Sequence, residues 1–208
     1  MPYPLDLSAW ARRDHFQFFR KFEEPFFGIC VELDCTAAYR RSKAEGSSFF
    51  LNYLWCALKA ANDTEPFRYR IEGDEVVVYD AVHASPTINR PDGTFGFAYM
   101  DYHEERTVFL REAAVERDRV RASTGLVPAL SGENVIHFSS LPWVRFTSVS
   151  HARAFSFPDS CPKIAFGKMT EQNGSRTLPV SLHVHHALMD GYHAGMFFER
   201  MQSQLAEG

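Results

Sequence analysis

The stretch Ser181-Leu-His-Val-His-His-Ala-Leu-Met-Asp-Gly-Tyr-His-Ala-Gly-Met-Phe-Phe-Glu-Arg200 constrains this chain more than any other part of it. Val180, Leu182, Val184 and His186 recur at period two, as on one face of a β-strand, while Ser181, His183 and His185 face the other way. His186 therefore closes an apolar face. An imidazole in such a place loses part of its hydration, which favours the neutral form that a general base requires near neutral pH. Asp190-Gly191 then ends the strand and opens a helix on which Phe197, Met201 and Leu205 recur every four residues. The order is strand, base, turn, helix.

Upstream, the pattern predicts a helix over 6–22, capped by Asp6 or Ser8 and carrying Trp10, Phe16, Phe18, Phe19 and Phe22, more aromatic surface than one core contact requires. A strand is expected over 26–34. A buried helix follows over 47–62, because Phe50, Leu51, Leu54, Trp55 and Leu58 keep a helical period. Two short β-rich segments between Arg68 and Tyr79 flank Glu72-Gly73-Asp74, a hairpin signal. Further strands are expected over 95–99, 135–139, 143–148 and 163–169. A helix is expected over 103–123, with Phe109, Leu110 and Ala113 on one side and mixed charges on the other. Strands do not alternate regularly with helices as they would in a doubly wound sheet, so the expected class is a two-layer α/β sandwich.

At 208 residues and 45 % hydrophobic content, the chain is long enough for one domain over 1–208 with a sizeable core. A formal net charge of −4 provides no field attractive to nucleic acid or an anionic membrane. The first residues show neither a basic region nor an apolar run, and no stretch approaches eighteen apolar residues, so a cytoplasmic protein is expected. Cys30, Cys35, Cys56 and Cys161 lack C-x-x-C spacing, which favours reduced, mostly buried thiols. His183, His185, His186, Asp190 and His193 are dense in metal-ligand atoms. However, His183 and His185 lie opposite His186 and there is no H-E-x-x-H helix, so no metal is expected. Taken singly, His186 also reads as a satisfied core histidine, and Asp190-Gly191 as a turn with a helix cap.

His185, His186, Asp190 and Gly191 form His-His-x-x-x-Asp-Gly, which resembles the coenzyme A-dependent acyltransferases. The remainder narrows this resemblance to the chloramphenicol acetyltransferase family. The similar segments are Trp10 to Phe16, Val31 to Asp34, Phe67 to Ile71, Val76 to Asp80, Ser139 to Trp143, Phe146 to Ser148 and Val184 to His193. The resemblance implies a mixed sheet packed against helices, acetyl-coenzyme A as co-substrate with no permanently bound cofactor, and direct transfer without an acyl-enzyme. It also implies roles. His186 would take the proton from an acceptor hydroxyl, and Ser139 would donate to the tetrahedral oxyanion. Asp190 would pair with Arg12 to hold the loop of the histidine in shape, and Lys168 would meet a phosphate of coenzyme A. By strand parity His137 shares the face of Ser139 and should look into the site. Without the resemblance, Ser139 reads as an ordinary strand-end serine and Lys168 as a solvated lysine.

Family members are homotrimers with the catalytic histidine facing a pocket built largely by a neighbouring subunit. The resemblance thus implies a composite site with Phe19, Phe27 and Phe95 in its walls, and an inactive monomer. Several positions depart from the family pattern. Glu23 and Pro25 replace an apolar residue and a cysteine, and His137 stands where asparagine is common. Phe97 replaces a small residue, Val149 and His151 occupy positions of apolar acceptor contacts, Ala165 replaces a threonine, and Met169 replaces a tyrosine near the adenine. A carboxylate beside an apolar neutral ligand costs desolvation free energy. Acetyl transfer is thus expected with chloramphenicol as the reference acceptor. A different hydroxylated acceptor and a non-catalytic trimeric binding protein stay open as alternatives.

Overall fold

The computed structural model describes residues 1–126, 132–153 and 159–207. In chain order the elements are β1 (Tyr3–Pro4), α1 (Arg13–Phe19), β2 (Phe26–Asp34), α2 (Thr36–Ala44), α3 (Phe49–Asn62), a 3₁₀ turn at Glu65–Arg68, β3 (Tyr69–Glu72) and β4 (Glu75–Val78). They continue with β5 (His83–Asn89), β6 (Phe95–Phe97), α4 (Arg106–Ala122), β7 (Val135–Ser140), β8 (Lys163–Phe166), β9 (Thr170–Gln172), β10 (Ser175–His185) and α5 (Gly191–Ala206). A seven-stranded sheet runs β2-β10-β8-β7-β5-β6, with β9 paired to β10. It is mixed: β7 is parallel to β5 and β8, while β10 is antiparallel to β2 and β8. A small sheet, β1-β4-β3, carries the hairpin whose turn is made by Gly73 at φ +61°.

Alternation along the strands separates two environments. Val180, Leu182 and Val184 of β10, Ile136 and Phe138 of β7, and Ile164 and Phe166 of β8 join one apolar core. Leu51, Leu54 and Leu58 of α3 and Phe197, Met201 and Leu205 of α5 enter the same core. Each such side chain contributes about 1.5–3 kcal/mol by leaving water, so the helices are held to this one face of the sheet. The opposite face bears polar side chains in register. Ser85, His137, Lys163, His183 and Gly28 lie side by side across β5, β7, β8, β10 and β2. The chain is a two-layer α/β sandwich, as expected, whose uncovered face is rich in histidine.

Some element limits differ from the sequence expectation. The first helix covers only Arg13–Phe19, because Asp6 accepts from the Ser8 amide at 2.9 Å in a local turn rather than capping a helix. Residues 143–148 form no strand: Pro142 and Trp143 are the central residues of a turn closed by Val144 N–H donating to the Leu141 carbonyl at 3.1 Å, and Trp143 is exposed. Conversely β5 was not anticipated, since Pro86 sits in its middle and proline argues against a ladder position.

Candidate active site

β10 ends at His185, and His186 is the first residue of the turn into α5. Its amide donates to the Pro25 carbonyl at 2.8 Å, which anchors the turn to the residue before β2. The imidazole lies between two aromatic rings. Phe19 of α1 is stacked on it with centroids 3.9 Å apart and planes 9° apart, and Phe27 of β2 stands 4.7 Å away. Nδ1 is enclosed and has no hydrogen-bond partner among the described residues, which leaves Nε2 as the nitrogen able to accept a proton from a ligand.

The turn is braced from outside. Arg12 forms an ion pair with Asp190, and its other Nη lies 3.4 Å from the His186 carbonyl oxygen. One guanidinium thus ties both ends of the segment from His186 to Asp190. Asp190 also caps α5 by accepting from the Tyr192 amide at 3.0 Å, and its Oδ1 lies 2.9 Å from His193 Nδ1. Burial alone would raise the pKa of the Asp190 carboxyl. The hydrogen bond and charge of Arg12, helped by His193, outweigh it and hold the group below the usual carboxylate range.

Ser139 belongs to a second assembly. Val135, His137 and Ser139 leave β7 on the uncovered face, whereas Ser140 turns to the helices and pairs with Tyr53 Oη at 3.1 Å. Ser139 lines a cleft of about 590 Å³ with Ser85, Thr87, Phe95, His137 and His151. Lys163 and Asp159, also in its wall, are paired with each other. Burial first, then the positive charges of Lys163 and Arg70, push His137 down to about 4. Burial, then His183 and Lys163, push His151 likewise to about 4.

Within one chain these two assemblies are apart. Ser139 is in register with Ala165, and Ala165 with Ser181; His186 lies five residues further along β10. At ~3.3 Å per residue and ~4.8 Å per strand spacing, the two side chains start from backbones roughly 19 Å apart. Arg12, Phe19, Phe27, His186 and Asp190 are therefore one group, and Phe95, His137, Ser139 and His151 another. Val149 and Lys168 belong to neither: Val149 is not among the cleft-lining residues, and Lys168 is exposed beyond β8. Ser85, Thr87 and Lys163 were missed by sequence reasoning, although His83, Ser85 and Thr87 do alternate with apolar neighbours. Among the described residues no helix is long and apolar enough to cross a membrane, and no group of three or more His, Cys, Asp or Glu side chains is arranged to hold a metal ion.

Comparison with known proteins places this geometry among relatives. A profile described as chloramphenicol acetyltransferase matches residues 2–202. A chloramphenicol acetyltransferase of Proteus mirabilis is 28 % identical, over 98 % of this chain and 94 % of its own length. One from Streptomyces acrimycini is 30 % identical, over 99 % and 95 % respectively. A solved chloramphenicol acetyltransferase superposes with a TM-score of 0.91 at 31 % identity, covering 99 % of this chain and all of its own.

Proposed function

We propose, from the premise that this chain belongs to the chloramphenicol acetyltransferase family and is an acyltransferase, that it moves acetyl from acetyl-coenzyme A to a hydroxyl of a small acceptor, with chloramphenicol the first to test. The observation that carries the reading is the confinement of His186 between Phe19 and Phe27 on a turn clamped by Arg12 and Asp190. A base held in one orientation, with one nitrogen enclosed and the other accessible, is arranged for proton transfer.

In the proposed reaction, His186 Nε2 accepts the acceptor's hydroxyl proton while that oxygen bonds to the thioester carbonyl carbon. The carbonyl electron pair moves onto oxygen, and the Ser139 hydroxyl donates a hydrogen bond to the resulting oxyanion. Collapse expels the coenzyme A thiolate, which takes the proton back from the imidazolium. The products are an O-acetyl ester and free thiol, with no covalent enzyme intermediate and no metal in any step. Arg12 and Asp190 position the base and touch no substrate. Lys168, exposed beyond β8, is assigned to a coenzyme A phosphate.

His186 and Ser139 are too far apart in one chain to share a carbonyl group, which supports a site formed between copies of the chain. We assign His186 to one subunit and the cleft of Ser139, His137, His151 and Phe95 to its neighbour in a homotrimer. Val149, which lines neither assembly within one chain, keeps only the acceptor contact that the family resemblance implies. Residues 1–208 act as one acetyltransferase domain, in the cytoplasm. The test is thiol release from acetyl-coenzyme A with chloramphenicol, alongside His186→Ala and sedimentation of the active species. Undiminished release in the variant removes histidine catalysis; full activity in a monomer removes the shared site.

A further inference from the structure

His193, in the first turn of α5, has no task in the reaction proposed above, yet it is held against the brace of the catalytic turn. Its Nδ1 lies 2.9 Å from Asp190 Oδ1 and 3.3 Å from the Asp190 amide nitrogen. One nitrogen cannot serve both: with a proton it donates to the carboxylate, and without one it accepts from the amide. Burial alone would raise the pKa of Asp190, but Arg12 and then His193 outweigh it, so the carboxyl is an ionised acceptor at neutral pH. The shorter contact is thus a charge-assisted donation to the carboxylate, and Nδ1 carries the proton. Asp190 is then gripped at both oxygens. Oδ2 takes Arg12, while Oδ1 takes the Tyr192 amide at 3.0 Å and His193. Arg12 in turn reaches the His186 carbonyl at 3.4 Å, so a line of contacts runs from His193 through Asp190 and Arg12 to the backbone of the base.

We propose, on the reading of His186 as the base, that His193 is a positioning residue: its Nδ1–H fixes the Asp190 carboxylate in the orientation from which Arg12 holds the His186 turn. Helix capping by itself does not call for this histidine. The side chain usual at this place in a helix is Glu or Gln, which accepts from the amide of the cap residue. A protonated Nδ1 leaves that amide unserved and gives its bond to the carboxylate instead. A glutamate here would put a second negative charge beside Asp190, where both would compete for Arg12. His193 is also the more sheltered of the pair, with 17 % of its side chain exposed against 33 % for Asp190, and a bond shielded from water is less readily exchanged for one to solvent. His193 neither gives up nor takes a proton in the reaction cycle. Its contribution is the placement of a carboxylate that serves the α5 cap and the ion pair with Arg12 at once.

Three variants of the full-length protein separate this role from capping. His193→Leu removes the donor, His193→Glu supplies the usual capping side chain without a donor, and His193→Asn places an amide N–H where Nδ1 stands. Thiol release from acetyl-coenzyme A with chloramphenicol is followed at a temperature where urea unfolding shows each variant folded. The expected result is a kcat about tenfold lower in His193→Leu and His193→Glu, KM for both substrates within about twofold, and most of the activity restored in His193→Asn. A second readout needs no acceptor. Phe19 is stacked on the His186 imidazole with centroids 3.9 Å apart, so its ring current moves the His186 ring-proton resonances upfield. Those resonances, assigned by their loss in His186→Ala, should return part-way to ordinary histidine positions in His193→Leu and His193→Glu and stay in place in His193→Asn. Unchanged kcat or unmoved His186 resonances in the Leu and Glu variants overturns the inference, as does a loss that His193→Asn shares in full. Turnover undiminished in His186→Ala overturns the assignment of the base, and the positioning role with it. Where chloramphenicol is not turned over, the resonances decide alone, and either of the Leu and Glu variants suffices should the other fail to fold.

Discussion

Phe19 and His186 lie face to face, with their centroids 3.9 Å apart and planes tilted by 9°. A ring on an adjacent helix thus sets the orientation of the imidazole, since Nδ1 has no hydrogen bond among the described residues to do so. Phe19→Ala frees the imidazole to rotate about its side-chain bonds. The expected result is a loss of about 10-fold to 100-fold in kcat, in the range that small misplacement of a reacting group costs, with a smaller change in KM. Phe19→Tyr keeps the stacked ring and should retain most activity. Steady-state kinetics of both variants check this, and equal kcat for Phe19→Ala and wild type would show that the stack does not orient the base.

The brace from Arg12 makes a different prediction, because it acts on the backbone of the turn. Arg12 is largely buried and spans Asp190 and the His186 carbonyl. Asp190→Asn preserves the cap on α5 but removes the charge that Arg12 faces. Arg12→Lys retains the charge and loses the fork that reaches both groups. Each should destabilise the protein by roughly 1–3 kcal/mol, and together by less than the sum, because both delete one interaction. Activity should fall further than stability at temperatures where the variants remain folded. Urea unfolding of the two single variants and the double variant measures the coupling, and simple additivity would contradict it.

The parts of this molecule that were legible in its sequence are those where one periodicity dominates. Val180, Leu182 and Val184 mark β10 because one face is apolar and the other polar, and the same parity correctly grouped His137 with Ser139. β5 was hidden because Pro86 interrupts it, yet it tolerates the proline by pairing in parallel with β7 through its other groups, and its carbonyl still accepts from Ala98 at 2.9 Å. α2 was hidden because it is short and polar, with only Ala38 and Ser42 buried. Residues 143–148 look like a strand by composition, but Trp143 and Val144 are exposed. The Arg12 to Asp190 pair joins residues far apart in sequence, so only a family resemblance could suggest it. The pairing of every cleft cation with a carboxylate had no sequence signal at all.

The stability of the protein should depend on pH through its buried histidines. Burial, followed by neighbouring cationic groups (Lys163 for His137, His183 and Lys163 for His151, Arg153 for His185), pushes His137, His151 and His185 each down to about 4 from an ordinary value of 6.5. In the unfolded chain these groups take up protons near 6.5, whereas in the folded chain they stay neutral until about 4. Between those values the unfolded state binds more protons, so stability falls as the pH drops through the window. Above about pH 7 the three histidines contribute no slope. Thermal unfolding should show a decreasing Tm from pH 6.5 to 4, and His137→Asn should make the decrease shallower. A constant Tm across the window would show that these side chains are not enclosed in solution.

Arg70 is fully buried and donates to four backbone carbonyls, those of Phe67, Tyr69, Glu133 and Val135. It therefore fastens the start of β7 to the hairpin strand β3. Arg70→Met fills much of the volume but leaves several buried carbonyls without donors, so a loss of about 3 kcal/mol or more is expected. Arg70→Lys, with a compact ammonium that reaches fewer carbonyls, should lie between. Chemical denaturation provides the ranking, and a Met variant as stable as the wild type would contradict the account.

Gly28 and His183 are register partners on β2 and β10, and the imidazole of His183 occupies the space a side chain at 28 would need. His183 Nδ1 lies 3.2 Å from Ser181 Oγ, and its ring meets His151 edge to face at 4.8 Å, so it is held from two sides. A Cβ at position 28 overlaps Nε2, which forces the imidazole toward His151 and the cleft wall. Gly28→Ala should cost about 1–3 kcal/mol, as overpacking does, and weaken acceptor binding. The φ of Gly28 is not in the left-handed region, so alanine itself fits the backbone and the cost is steric alone. Removing the imidazole should then remove the penalty. In the His183→Ala background, Gly28→Ala is expected to be nearly neutral, a coupling of at least ~1 kcal/mol measured by urea unfolding of the four proteins. Equal cost in both backgrounds would mean that the obstacle at position 28 is something other than His183.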